Sequence, residues 1–262
     1  MRISLVTRFP RVDTPAWKRK LAEALLGDGF QLSVVYSRST LVDQFRAGLG
    51  EFGPGLMRRY LSLSGRSEPP GQTRPAPVET LAGWAQRRGV EVGRCGRLDD
   101  ADCLATLRRL APDILVLAGS DIVPASVLGV PSRGTINGHY GLLPRYRGMN
   151  VTEWSIWHDD PVGVSVHMVD PGIDTGDVLL TEPVEAVVGD TLETLRGKHQ
   201  RVCGGLLLEA ARSLRAGTER PARQDPAAGR QFYRMHSHLR DVVERKLARG
   251  EYSWLGDGQG TP

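Results

Sequence analysis

The chain has 262 residues, 40% of them hydrophobic, with 34 Lys and Arg against 30 Asp and Glu for a formal charge of +4. That balance supplies a core for one large domain, or a main domain with an appendage, and excludes a chain disordered throughout. The 31 glycines and 17 prolines follow no short period, which excludes a collagen-like array and points to a loop-rich fold.

Ile3 to Val6 is an apolar run suited to a buried strand, and Asp13 to Pro15 resembles a helix start with Pro in the first turn. The pattern predicts a helix through Leu25, stopped at Gly27 to Gly29, then a β-branched strand from Gln31 to Tyr36, the β-α-β opening of a parallel sheet. From Ser37 to Val78 the pattern degrades, and an insertion or excursion at about 37–78 is expected, carrying one helical stretch near Leu56 to Leu63. Glu79 to Arg88 and Leu98 to Leu110 read as helices flanking a strand at Val90 to Val92. Ile114 to Ala118 is continuously apolar, as in a strand buried on both faces. Thr135 to Asn137 reads as a short strand, and Val164, Val166 and Met168 alternate with period two. Val178 to Thr181 is their expected antiparallel neighbour across a Gly-rich loop. Asp190 to Glu193 reads as a capping box opening a long amphipathic helix to about Ala216. Glu219 to Gly229 reads as a polar linker to a tail with Phe232, Tyr233 and a charged helix near Leu239 to Ala248.

Other signals are weak. The arginines are scattered, with no basic run or interleaved aromatics, so no nucleic-acid partner is expected. Cys95, Cys103 and Cys203 are odd in number without CxxC spacing, suggesting neither a disulfide framework nor a metal site. Met1 to Arg8 lacks the basic and apolar regions of a signal peptide, and no segment approaches the length of a membrane span; a cytoplasmic location is expected. Gly48 to Gly53 spells GxGxxG, but Pro54 follows and no strand precedes, so a nicotinamide site is disfavoured. His167 reads as a hydrogen-bonded sheet residue, His158 as a helix end, and His236 and His238 as solvated. Trp154 and Trp157, three apart, are expected to share a core face.

The densest chemistry lies at Asn137 and His139. Two apart in an extended segment, they present an amide donor and an imidazole into one space. A second piece, Asp170 to Asp177, places three acids and two glycines between two strands; alone it is as readily a solvated turn, and its spacing does not fit an EF-hand.

Together with Pro112 to Gly119, Gly134 to Gly148 and Gly163 to Val169, these pieces resemble the formyltransferase family that uses 10-formyltetrahydrofolate, strongly from about Ala111 to Leu180 and more weakly over Met1 to Tyr36. The family includes methionyl-tRNA formyltransferase, glycinamide ribonucleotide transformylase and sugar-amine formyltransferases. The resemblance implies an α/β, Rossmann-like, mostly parallel sheet with a short C-terminal extension: a catalytic domain at 1–216 and an extension at 217–262. It implies Asn137, His139 and Asp174 as the catalytic residues. Ser120, Asp121, Ile122 and Val123, with Asp170 and Gly172 opposite, would hold the folate. Gly141 stands where many members carry Ser. The implied reaction is formyl transfer from 10-formyltetrahydrofolate to a small-molecule amine, such as an amino-sugar nucleotide or a secondary-metabolite precursor. The 46 residues after Ala216 are short for the tRNA enzyme's C-terminal barrel, which disfavours a tRNA acceptor. No membrane partner or metal is implied, and a homodimer is admitted. The alternatives are a 10-formyltetrahydrofolate hydrolase and a non-catalytic folate-binding protein.

Overall fold

The structure, a computed structural model, describes residues 1–8, 16–37, 80–120 and 122–256. Within them one sheet is built from β1 (Arg2–Arg8), β2 (Gln31–Ser37), β3 (Glu91–Arg94), β4 (Ile114–Leu117), β5 (Thr135–His139), β7 (Gly163–Met168) and β8 (Val178–Pro183). These seven strands lie in the order β3-β2-β1-β4-β5-β7-β8. The first five run parallel, and β7 and β8 add the expected antiparallel pair.

The period-two rule explains the layering. Ile3 and Leu5, Val34 and Tyr36, and Ile114 and Val116 face one core. Helices α1 (Ala16–Gly27) and α6 (Leu192–Ala216) cover it with Trp17, Leu21, Leu25, Leu206 and Leu207. The intervening Val6, Val35, Leu115 and Leu117 face a second core with α3 (Ala101–Leu110) and the short α4 (Ala125–Leu128). Between β2 and β3, α2 (Leu81–Arg87) is capped by Thr80, whose hydroxyl accepts from the Gly83 N–H at 3.1 Å.

Three expectations are corrected. The long helix begins one residue later than the capping box predicts: Thr191 is the N-cap and trades hydrogen bonds with Thr194. Asp190 instead accepts from Lys198 Nζ at 2.6 Å and from the Val187 N–H at 2.8 Å, because an ammonium is the stronger partner. The turn between β3 and α3 folds back to join Cys95 and Cys103 as a disulfide, with Cα atoms 5.0 Å apart, leaving Cys203 buried and free. Trp154 packs on Phe232 with ring centroids 5.5 Å apart, but α5 (Val151–Trp157) ends at Trp157, which stays 39% exposed.

The chain beyond Ala216 returns to the sheet. Ala222 bridges Val178, and β10 (Arg230–Phe232) runs parallel to β6 (Tyr146–Gly148). Phe232 stacks on Tyr146 with centroids 5.0 Å apart, while the neighbouring Tyr233 is exposed. Helix α7 (Ser237–Ala248) packs on α5, Lys246 donating to the Ile156 carbonyl, and β11 (Leu255–Gly256) pairs with β9 (Ala186–Val187). The stretch expected to be a linker is therefore held against β8. The predicted helix start at Asp13 to Pro15, the excursion with its GxGxxG spelling and helical stretch, and Asp121 lie outside the described residues. Among the described helices none is long and apolar enough to cross a membrane.

Candidate active site

Strand β5 delivers Asn137 and His139 to one side of the sheet while Gly138 between them faces α6. A Cβ at Gly138 would collide with the Cys203 sulfur and stand 3.3 Å from Leu207, so only glycine lets the helix approach this closely. Antiparallel pairing sets His167 opposite Asn137 and Ser165 opposite His139. Asn137 Nδ2 lies 3.2 Å from His167 Nε2, and His167 Nδ1–H donates to the Met168 carbonyl at 2.7 Å.

His139 is 6% exposed, and its Nε2–H donates to the Tyr146 carbonyl at 2.7 Å. That bond turns Nδ1 toward Asp174 Oδ2, 3.4 Å away. Burial lowers the His139 pKa and the Asp174 carboxylate opposes the shift. Burial alone would raise Asp174. The His139 charge, a hydrogen bond from His167 and one from the Gly148 N–H outweigh it and hold the carboxyl at about 2. Asp174 is thus a fixed anion poised to stabilise a proton on His139 Nδ1.

The acidic loop is braced from two directions. Asp170 Oδ1 accepts from the Gly172 N–H at 3.1 Å and from the Thr175 hydroxyl at 2.6 Å. From beyond α6, Gln224 Nε2 donates to the Gly176 carbonyl at 2.6 Å and to the Asp174 carbonyl at 3.0 Å. Asp174 itself sits at φ 52°, a left-handed conformation that Asp tolerates better than bulkier residues. Replacing Gln224 by Ala frees two carbonyls and loosens this loop. Turnover is expected to fall about 10-fold, roughly the value of the one or two hydrogen bonds lost, and steady-state kinetics of purified variant and parent check it.

Asn137, His139, His167 and Asp174 share one cavity of about 460 Å³. Of the residues that the resemblance assigns to folate, Ser120, Ile122, Val123, Asp170 and Gly172 lie on its walls, and Asp121 falls outside the described residues. Leu117, Val169 and Ile173 add apolar wall, and Gln231, Phe232 and Tyr233 close the remaining side. A smaller cavity of about 250 Å³ lies beyond His139, bordered by Tyr140, Glu153 and Arg196.

Sequence reasoning missed His167 as a member of the site, Gly148 as the donor to Asp174, and the Gln224 and Gln231 to Tyr233 contributions. His167 alone carried a signal: in a period-two strand paired with β5 it occupies the register facing Asn137.

An amide, a buried imidazole and a fixed carboxylate at the carboxyl end of a parallel sheet define an α/β protein with the formyltransferase fold. The formyl transferase family model matches residues 86–210 of this chain. Methionyl-tRNA formyltransferase of Anaeromyxobacter sp. (strain K) is 41% identical over 146 residues, which cover 55% of this chain and 47% of that protein. The enzyme of the same name from Lachnospira eligens is 30% identical over 196 residues, 71% of this chain and 62% of that protein. The chain thus spans about half the length of the first of these relatives. Among solved structures, a sugar N-formyltransferase from Shewanella sp. aligns with a TM-score of 0.60 at 16% identity, covering 99% of this chain and 90% of the other. Glycinamide ribonucleotide transformylase 1 from Symbiobacterium toebii aligns with a TM-score of 0.58 at 18% identity, covering 86% and 94%. These two likenesses establish the fold.

Proposed function

We propose that this protein transfers a formyl group from 10-formyltetrahydrofolate to the primary amine of a small molecule. The observation that carries the reading is the convergence of Asn137, His139 and Asp174 from two separate segments on one cavity wall. The cavity suits a folate. Leu117, Val123 and Ile173 offer apolar contact to a flat heterocycle, and Ser120 with the chain at 170–174 offers polar groups to its edge. The donor supplies the activated one-carbon group.

The protein's own groups do the rest. As the deprotonated amine attacks the formyl carbon, negative charge develops on the formyl oxygen. Asn137 Nδ2 is the donor available to stabilise it, and the positive charge of a protonated His139, its Nε2–H held by the Tyr146 carbonyl, adds to that stabilisation. Asp174 would favour the imidazolium; as the adduct collapses the bond from the formyl carbon to the donor's nitrogen would break, that nitrogen taking a proton from His139 or water and the amine returning one to the same group. Burial of His139 keeps this charge stabilisation in a site of low dielectric, where it is strongest.

A second reading, methionyl-tRNA as the acceptor, is favoured by the names of the relatives that match at 30–41% identity. Support for a small amine comes from Gln231, Phe232 and Tyr233, which wall the cavity on one side, and from the dispersed arginines.

The test has two parts. Calorimetry with 5-formyltetrahydrofolate, a stable analogue of the donor, is expected to show saturable binding that NADH does not compete away. A panel of small amines and methionyl-tRNA, assayed with 10-formyltetrahydrofolate, is expected to show formylation of a small amine only. Efficient formylation of the tRNA would replace the acceptor and keep the chemistry. Formate release without amine would make the protein a hydrolase, and folate binding without turnover a binding module.

A further inference from the structure

Gly141 lies two residues beyond His139 and outside the left-handed region, so its backbone conformation does not call for glycine. The space around it does. A Cβ there would stand 2.9 Å from His139 Nε2, 2.9 Å from a Val151 methyl and 3.0 Å from the Tyr146 carbonyl oxygen. It would be a wedge in the bond that fixes the imidazole, from His139 Nε2–H to that carbonyl at 2.7 Å.

The walls of this gap are held from outside. Ser165, buried and paired opposite His139, donates its hydroxyl to the Gly141 carbonyl at 2.9 Å and accepts from the Leu143 N–H at 3.1 Å. Both ends of the turn are thereby tied to β7. On the far side the Tyr146 N–H donates to the Leu142 carbonyl at 3.2 Å, and its ring stacks on Phe232. The Tyr146 hydroxyl donates to Asp160, which also takes Arg145 Nη2 at 2.7 Å. Val151 packs in the same small core as Tyr146 and Phe232. Of the three neighbours the imidazole alone has room to turn, because it borders the large cavity. A side chain at 141 would therefore break the bond by rotating His139.

That bond decides more than orientation. A carbonyl oxygen only accepts, so Nε2 keeps its proton whether the ring is neutral or charged, and gain or loss of a proton falls to Nδ1. The titratable groups facing the ring are Asp174, 3.4 Å from Nδ1, and His167, with ring centroids 6.3 Å apart. At that distance the carboxylate favours a proton on Nδ1 without closing a hydrogen bond of ordinary length around it. Burial and His167 lower the His139 pKa, and Asp174 and the Tyr146 carbonyl oppose them.

We propose that Gly141 is a positioning residue of the reaction, with Ser165 as its clamp: lacking a side chain, it keeps the Nε2–H of His139 on the Tyr146 carbonyl and makes Nδ1 the single atom through which His139 exchanges protons. This deepens the formyl-transfer reading and rests on it. Nδ1 gives its proton to the donor's nitrogen as the bond to the formyl carbon breaks, and takes back the proton that the amine loses. The ring ends each turnover as it began.

Nitrogen–proton correlation spectra of the histidine rings in the full chain, recorded across pH, read the tautomer directly, with the His139 signal assigned by its loss in His139→Gln. Neutral His139 of the parent is expected to carry its proton on Nε2. Gly141→Ala is expected to lose that fixed tautomer and to titrate at lower pH than the parent, since the carbonyl no longer opposes burial. Ser165→Ala, which keeps the glycine and frees the turn, is expected to move both readouts in the same direction by less. With an acceptor from the amine panel, kcat should fall about 100-fold in Gly141→Ala and about 10-fold in Ser165→Ala, with affinity for 5-formyltetrahydrofolate within about 3-fold of the parent. A glycine needed for packing only would lower the melting temperature and leave tautomer and titration alone. Should Gly141→Ala fail to fold, the parent's tautomer and Ser165→Ala decide. The proposal is overturned if the neutral parent ring carries its proton on Nδ1, or if the folded variants keep the parent's tautomer and titration. It is also overturned if kcat in Gly141→Ala stays within about 3-fold of the parent. Failure of the formyl-transfer reading shows separately, as a parent protein that neither binds 5-formyltetrahydrofolate nor formylates any amine while its His139 proton still sits on Nε2.

Discussion

Asp174→Asn is expected to lower kcat by on the order of 10³- to 10⁴-fold, the scale seen when an acid that orients and charges a catalytic imidazole is made neutral. The amide keeps the size of the carboxyl and can still accept from the Gly148 N–H, which Asp174 binds at 2.9 Å. What it loses is the anion facing His139 Nδ1 at 3.4 Å, so the burial that lowers the imidazole pKa is no longer opposed by that carboxylate. Folate affinity should change little, because the loop remains tied by Gln224 and Asp170.

The same substitution has a signature in stability. The Asp174 carboxyl is held at about 2 in the folded protein, below its ordinary 3.8. A depressed carboxyl pKa stabilises the fold above the unfolded value, and that contribution is lost as pH falls from about 4 to about 2. It amounts to about 2 kcal/mol by linkage. Urea unfolding at stepped pH should therefore show a steeper acid loss in the parent than in Asp174→Asn. Equal slopes, or kcat within 10-fold of the parent, would rule Asp174 out as the anion that charges His139.

Gly148→Ala is the second large effect expected, and it acts on both fold and site. Gly148 has φ 97°, and a Cβ there would lie inside the van der Waals radius of the Phe232 carbonyl oxygen, a backbone atom that cannot rotate away. The methyl must push β10 off β6 or force the backbone to a new φ. Either move withdraws the N–H that holds Asp174 and shifts Phe232 from its stack on Tyr146. A loss of about 2–4 kcal/mol is expected from the clash and strain together. At temperatures where the variant stays folded, turnover should still fall at least as far as in Gln224→Ala, since the carboxylate loses a direct ligand. Thermal melting and kinetics of the same preparation separate the two effects.

Much of this was open to reading in the sequence, for reasons that can be named. The alternation Val164, Val166, Met168 marks β7, and pairing it with β5 is what carries the acidic loop back toward His139. Local pattern and short-range pairing were enough. The unread parts depend on long returns of the chain or on competition between partners. Nothing near Gln224 or Phe232 announces that they brace residues 50 or more positions earlier. Asp190 has the composition of an N-cap, and only the placement of Lys198 further along the helix shows why Thr191 takes that role.

The brace from Gln224 to the Asp174 loop also has a bearing on how the protein is born. Fifty residues of chain separate the Asp174 carboxylate from the side chain that ties its loop down. At ribosomal speeds of about 5–20 residues per second, that interval is roughly 3–10 s of synthesis. During it, strands β1 to β5 can already be paired through local and parallel contacts, and His139 can already be buried beneath them. The emerging chain therefore has a sheet before it has a finished Asp174 loop, and Gln224 and β10 arrive as the last pieces that close it.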